Sequence, residues 1–166
     1  IQKVNGKSLL DYTFEYVKTS KKLDNYYVTT DDDLIEEICL ENKINVVRRP
    51  VSLGGETPLI EVYRHFMTKI SFSNKIQTLL GIQVDHPDRR VSLDEALNFF
   101  YKEKADRLFS NQKDGTKNGA HYILSKYFLD SKKSRKDSYI LDDCTNVHYK
   151  EDLLKAEIFL KKKWKL

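Results

Sequence analysis

Cysteine, long apolar runs and any strong excess of charge are all scarce in this chain, and each scarcity excludes something. Cys39 and Cys144 are its only cysteines. They lie far apart and outside any CxxC arrangement, which reads as reduced thiols in a cytoplasmic protein. No apolar run approaches the roughly 20 residues that a membrane-spanning helix needs, so a soluble chain without a membrane partner is expected. Net charge is only +4, from 29 Lys and Arg against 25 Asp and Glu. Much of the excess sits in Lys161, Lys162, Lys163 and Lys165, a pattern too mild and too confined to the tail for a nucleic-acid partner. Repeats, linkers and low-complexity stretches are missing as well. The chain opens on Ile1 with neither Met nor a targeting segment before it, so the expectation is a sequence that begins partway through a domain.

What is present is a composition suited to one globular domain over 1–166, with 40% apolar and 33% charged residues. Helix and strand signals alternate along it. Ser8 to Ser20 has apolar residues at helical spacing behind a Ser8 cap. Asn25 to Thr30 is aromatic and β-branched, as a buried strand should be. Asp31, Asp32 and Asp33 then open a helix ending near Asn42, where acidic residues suit the positive helix end. Ile44 to Val47 reads as a strand, Leu53 to Gly55 as a loop and Leu59 to Ile70 as a helix. Gln77 to Val84, nearly continuously apolar, reads as a strand covered on both faces. Ser92 to Ala105 is a helix with Ser92 and Glu95 in capping-box spacing. Arg107 to Ser110, Ala120 to Leu124 and Tyr139 to Leu141 read as strands around a polar loop at 112–119, and Glu151 to Lys163 closes the chain as a helix.

This alternation predicts a three-layer α/β/α fold with a mostly parallel, Rossmann-like sheet. Ligands of such sheets bind at the carboxyl ends of the strands. That assigns the candidate site to the segments 30–33, 48–56, 83–89, 111–118 and 142–148.

Several of these segments carry a resemblance. Asn5-Gly6-Lys7-Ser8-Leu9-Leu10, Tyr27-Val28-Thr29-Thr30-Asp31-Asp32, Arg49-Pro50 with Leu53, Gln83-Val84-Asp85-His86-Pro87, Asn118-Gly119-Ala120-His121-Tyr122-Ile123, and Glu151-Asp152-Leu153 with Ala156-Glu157 stand in one order over nearly the whole chain. Together they resemble the cytidylyltransferases that make CMP-sialic acid, CMP-KDO and related activated sugars. The resemblance implies a sheet of the nucleotide-diphospho-sugar transferase type and a homodimer. It also implies transfer of CMP from CTP to an acidic sugar, with release of pyrophosphate and with Mg2+ or another divalent cation as cofactor.

The residue types fit that chemistry, which needs positioning and cations more than a protein nucleophile. Asp85 is a hard oxygen ligand suited to magnesium, and Arg49 offers a bidentate fork to a phosphate or carboxylate. Gln83 can hydrogen-bond a base or a sugar, and Asn118 and Tyr122 are placed to hold the sugar. Each has a plainer reading: Asp85 as a turn former, Arg49 as the partner of Glu56 or a nearby Asp, and Tyr122 as a core residue alternating with His121. Three departures stand out. The first strand and the Gly-rich basic phosphate loop that the resemblance implies just before Ile1 are expected to be absent from the sequence. The second metal position is His148, an imidazole where a carboxylate suits magnesium better, with Asp142 and Asp143 nearby as substitutes. The loop from Ser110 to Asn118 is short. A non-catalytic, nucleotide-binding remnant of such an enzyme is the competing expectation.

Overall fold

A computed structural model of the chain describes residues 2–55, 57–70 and 75–163, with side chains as far as residue 161. Glu56, one proposed partner of Arg49, lies outside the described residues, as does Lys165. The chain separates into two compact units, Leu23–Ile76 and the combination of Ile1–Lys22 with Gln77–Leu166. Among the described residues, no helix is long and apolar enough to cross a membrane.

The Leu23–Ile76 unit is a βαβ arrangement followed by a helix. β3 (Tyr27–Thr30) pairs in parallel with β4 (Asn45–Arg48) through α2 (Asp33–Glu41). α3 (Leu59–Lys69) follows a short 3-10 turn at Val51–Leu53. The three acids between β3 and α2 have separate tasks. Asp32 caps α2 by accepting from the Ile35 amide at 2.9 Å, Asp33 pairs with Arg48, and Asp31 pairs with Arg49.

The second unit begins with a two-residue hairpin, β1 (Lys3–Val4) and β2 (Lys7–Ser8), leading into α1 (Leu9–Lys18). Ser8 and Asp11 form a capping box at its start. Val4 and Leu9 then pack with Val147, Ala156 and Leu160, joining the hairpin to α6 (Lys150–Lys163). The sheet has the order β5-β7-β6-β8, made of Thr78–Gly81, Lys117–Ser125, Arg107–Asn111 and Asp137–Leu141. Leu108, Ile123 and Leu124 from this sheet are buried, as are Leu93, Ala96, Leu97 and Phe100 of α4 (Leu93–Glu103). α5 (Lys126–Ser131) follows β7.

The fold is α/β, as the alternation predicts, and the sheet is mixed in detail. β5, β6 and β8 share one direction, while β7 runs antiparallel to both of its neighbours. The reversal comes from a hairpin at 112–116, in which Gly115 takes φ +86, a conformation glycine adopts without steric cost. β5 is shorter than its apolar run suggests. Chain direction changes after Gly81, and Thr78, Leu79 and Leu80 are half-buried rather than covered on both faces.

Candidate active site

Buried polar anchors hold the segment between β5 and α4, residues 82–92, and it carries Gln83 and Asp85. The Arg89 guanidinium is only 4% exposed and donates to three backbone carbonyls: Gln83, His86 at 2.6 Å and Ala120 at 3.1 Å. It also stacks 5.1 Å from the Tyr16 ring. Asp88, equally buried, accepts from the Thr145 amide and hydroxyl at 2.8 Å each. Asp142, fully buried, accepts from the amides of Arg90 at 3.0 Å and Val91 at 3.3 Å. Buried charges persist only when their hydrogen-bonding capacity is met, so the loop is pinned to β7 and to the segment after β8 by specific geometry.

Gln83 meets the second motif directly. β7 spends four residues, Asn118 to His121, opposite the single Ser110 of β6, because the pairing passes from Phe109–Tyr122 to Asn111–Lys117. Such a bulge strands backbone groups and re-aims side chains. Here Asn118 and Ser110 satisfy it. Asn118 Oδ1 accepts from Ser110 Oγ at 2.5 Å and from the Ala120 amide at 3.1 Å, and Asn118 Nδ2 donates to the Asp142 carbonyl at 2.5 Å. The His121 amide donates to Ser110 Oγ at 2.9 Å. Gly119 sits in the bulge at φ +76, and Gln83 Oε1 occupies the space that a Cβ at 119 would fill. The structure thus places Asn118 inside the protein with both amide atoms engaged, whereas Gln83 lies over the bulge.

Asp85 stands on a fixed backbone, its carbonyl accepting from the Val147 amide at 2.9 Å, so the structure brings it to the residue before His148. Its Oδ1 is buried and lies 2.7 Å from His86 Nδ1, off the line of a hydrogen bond. Burial pushes the Asp85 carboxyl up, but the His86 ring, a backbone hydrogen bond and the Arg89 charge together outweigh it and hold the group below its ordinary range. The side chain keeps 23% of its surface. With Oδ1 shielded, Oδ2 is the oxygen a ligand can reach.

A divalent cation fits this site in a restricted way. Magnesium accepts one or two carboxylates and completes its shell with waters and substrate phosphates, and Asp85 supplies one such carboxylate. His148 is exposed, its backbone donating to Asp152 Oδ2 at 3.2 Å and its ring tilted against that of Tyr149, centroids 6.5 Å apart. Asp142 is no substitute, since both its oxygens already hold loop amides. Asp143 lies 3.4 Å from Lys113 and 3.8 Å from Arg90. No group of three His, Cys, Asp or Glu that could hold a metal is found among the described residues. The donor set suits a cation carried in on a phosphate better than a resident one.

Behind the loop, the strand alternation turns His121 inward and Tyr122 to the other face. His121 Nε2 contacts the Tyr16 hydroxyl at 2.5 Å, and that hydroxyl donates to the Val91 carbonyl at 2.7 Å. Burial, then the charges of Arg89 and His86, push the His121 pKa down to about 3, so the ring is neutral near pH 7. Burial likewise drives the Tyr16 phenol and the Cys144 thiol far up. These groups hydrogen-bond or fill space; none is ionised to react. Tyr122 is half-buried and stacks on Phe109, ring centroids 4.8 Å apart, and Phe109 stacks in turn on Tyr139.

Arg49 belongs to the other unit. Its Nη1 donates to the Thr29 carbonyl at 2.5 Å and its Nη2 pairs with Asp31 at 2.6 Å, so both tips of the fork serve the end of β3. Its Nε is buried with no hydrogen-bond partner among the described residues.

Sequence reasoning passed over Arg89, Asp88 and Ser110. The available signal was an Asp-Arg pair wedged between an apolar strand and the Ser92 cap, where so short a loop leaves two charged side chains little room to reach solvent.

A family model described as Cytidylyltransferase matches residues 1–156. Among solved structures, the chain is similar to a CMP:2-keto-3-deoxy-manno-octonic acid synthetase complexed with CTP, at 9% identity and a TM-score of 0.73, covering 98% of this chain and 91% of that one. It is also similar to a 4-diphosphocytidyl-2C-methyl-D-erythritol synthase from Anaerococcus prevotii, at 13% identity and a TM-score of 0.66, covering 96% and 91%. A third likeness is to molybdopterin-guanine dinucleotide biosynthesis protein A from Archaeoglobus fulgidus, at 12% identity and a TM-score of 0.68, covering 97% and 89%. At such identities the structural likenesses show a shared fold. No curated protein matches the chain.

Proposed function

Since the chain belongs to the cytidylyltransferase family of CTP-using nucleotidyltransferases, we propose that it transfers CMP from CTP to a hydroxyl of an acidic sugar, a sialic acid-like nonulosonate or KDO. The hydroxyl oxygen bonds the α-phosphorus, the bond from that phosphorus to pyrophosphate breaks, and the hydroxyl proton is released. One observation carries the reading: Gln83 and Gly119, which belong to two motifs of the acidic-sugar resemblance more than thirty residues apart, are in contact.

In this reading Gln83 hydrogen-bonds the base or the sugar, and Tyr122 borders the sugar. Asn118 shapes the site from inside the bulge. Asp85 Oδ2 holds Mg2+ or another divalent cation bound to the triphosphate, with His148 nearby at the start of α6. The cation supplies neutralisation of phosphate charge. Arg49 contributes positive charge at the end of β3, with its fork already committed to Thr29 and Asp31. The working form is a cytoplasmic homodimer.

The test is pyrophosphate release from CTP and Mg2+ with a panel of sialic, legionaminic, pseudaminic and KDO acids beside neutral sugars. Turnover with one acid and none of the neutral sugars supports the proposal. CTP binding without turnover on any acid would favour a nucleotide-binding remnant instead.

A further inference from the structure

His86 is the most enclosed ionisable side chain beside Asp85. It is 0% exposed, and neither ring nitrogen has a hydrogen-bond partner among the described residues. A buried polar group left in that condition is costly, so a fold that keeps one there calls for an explanation.

The backbone around it is over-determined. The His86 carbonyl accepts from Arg89 Nη1 at 2.6 Å, and the preceding carbonyl, that of Asp85, accepts from the Val147 amide at 2.9 Å. Pro87 follows, and a residue before proline is confined to extended conformations. On that backbone the ring is fully enclosed, with no open side toward which to swing. Its Nδ1 lies 2.7 Å from Asp85 Oδ1, and both atoms are shielded from solvent. Asp85 Oδ1 has no other partner among the described residues, so the imidazole is the one group placed to fix the rotation of that carboxylate.

We propose that His86 is a positioning residue: Nδ1, carrying a ring proton, keeps its 2.7 Å contact with Asp85 Oδ1 by charge attraction rather than by an aligned hydrogen bond, and so presents Oδ2 to the cation that accompanies the triphosphate. The inference rests on the reading of Asp85 as the cation ligand. A carboxylate that ligates through one oxygen and is held through the other follows the general design of metal sites, in which loss of an outer partner costs about 10- to 100-fold in affinity.

The test uses two amides that differ in reach. His86→Asn sets a donor near the place of Nδ1, and His86→Gln sets one near the place of Nε2. The quantity read is the gain in CTP affinity produced by Mn2+ over chelator, measured by calorimetry on the full chain, with kcat and KM for CTP alongside. The inference expects wild type and His86→Asn to share the gain. In His86→Gln it should shrink about tenfold, with kcat falling and the melting temperature close to that of His86→Asn. An equal gain in both variants overturns the inference, because a space-filling role does not distinguish them. A wild-type gain that survives Asp85→Ala removes the reading of Asp85, and the inference with it. The ring 15N spectrum of the wild-type protein gives a check independent of any variant's folding. His86 must carry its proton on Nδ1, and a proton on Nε2 alone overturns the proposal.

Discussion

Gln83 Oε1 lies where the side chain of residue 119 would be, so the glycine and the glutamine share one site between β5 and β7. Neither position can be changed without the other responding. Gly119→Ala meets two obstacles, the occupied space and the φ of +76. The second costs about 1–2 kcal/mol for any residue with a Cβ. The expected result is a larger loss of stability in the wild-type background than in Gln83→Ala, where only the backbone cost remains. A double-mutant cycle by urea denaturation checks this; additive losses would show that the contact carries nothing.

Arg89→Lys keeps the charge and loses the fork. One ammonium on a flexible stem cannot replace a planar group serving Gln83, His86 and Ala120 together. Buried carbonyls left without donors cost about 1–3 kcal/mol each. Destabilisation of at least ~2 kcal/mol is expected, together with looser CTP binding as the loop carrying Gln83 and Asp85 relaxes. Denaturant midpoints and CTP titration measure the two effects.

Asn118→Ala should act on stability first. It removes the buried hydrogen bonds to Ser110, Ala120, Asp142 and the Cys144 sulfur, for a loss of about 2–4 kcal/mol. A fall in sugar affinity with unchanged melting would instead identify Asn118 as a direct sugar contact.

Reading the sequence succeeded where local chemistry decides. The Ser92 and Glu95 capping box fixes the start of α4, and the Ser8 cap that of α1. The aromatic and β-branched run places β3. The reading failed where the outcome depends on distant partners. β7 extends from Lys117, well before the expected Ala120, because the bulge resumes pairing beyond Gly119. Its reversal was written in Asp114-Gly115, a hairpin signal that the polar loop around it obscured. α5, six residues long behind a Ser125 cap, is too short to show a period. In the site, strand-end positions identified Gln83 and Asp85 as candidates, but whether Arg49 or Asn118 faces a ligand or the protein depends on which carbonyls tertiary packing brings near. No local pattern encodes that.

Acid should weaken the fold through His121. Its pKa is about 3 in the folded chain against an ordinary value near 6.5, so the unfolded chain takes up a proton that the folded one refuses. The stabilisation is complete above about pH 6.5 and declines below it, with a slope approaching about 1.4 kcal/mol per pH unit. Burial, then the charges of Arg89 and His86, set the size of the effect, and Asp142 and Tyr16 also face the ring. Unfolding free energies between pH 6.5 and 4.5 should fall more steeply in wild type than in His121→Gln; equal slopes would refute the assignment. Below that window carboxylates held low by arginine, Asp106 by Arg135 and Asp137 by Arg107, add losses of their own.

The bulge in β7 also has a mechanical meaning. It breaks one long strand into two ladders, with Arg107 to Phe109 against Tyr122 to Leu124 on one side and Asn111 against Lys117 on the other. Asn118 and Ser110 tie down the residues between them, so the Phe109–Tyr122 pairing is held independently of the hairpin arm. The arm at 112–116 is therefore expected to tolerate changes of length or sequence while the buried strands keep their alignment.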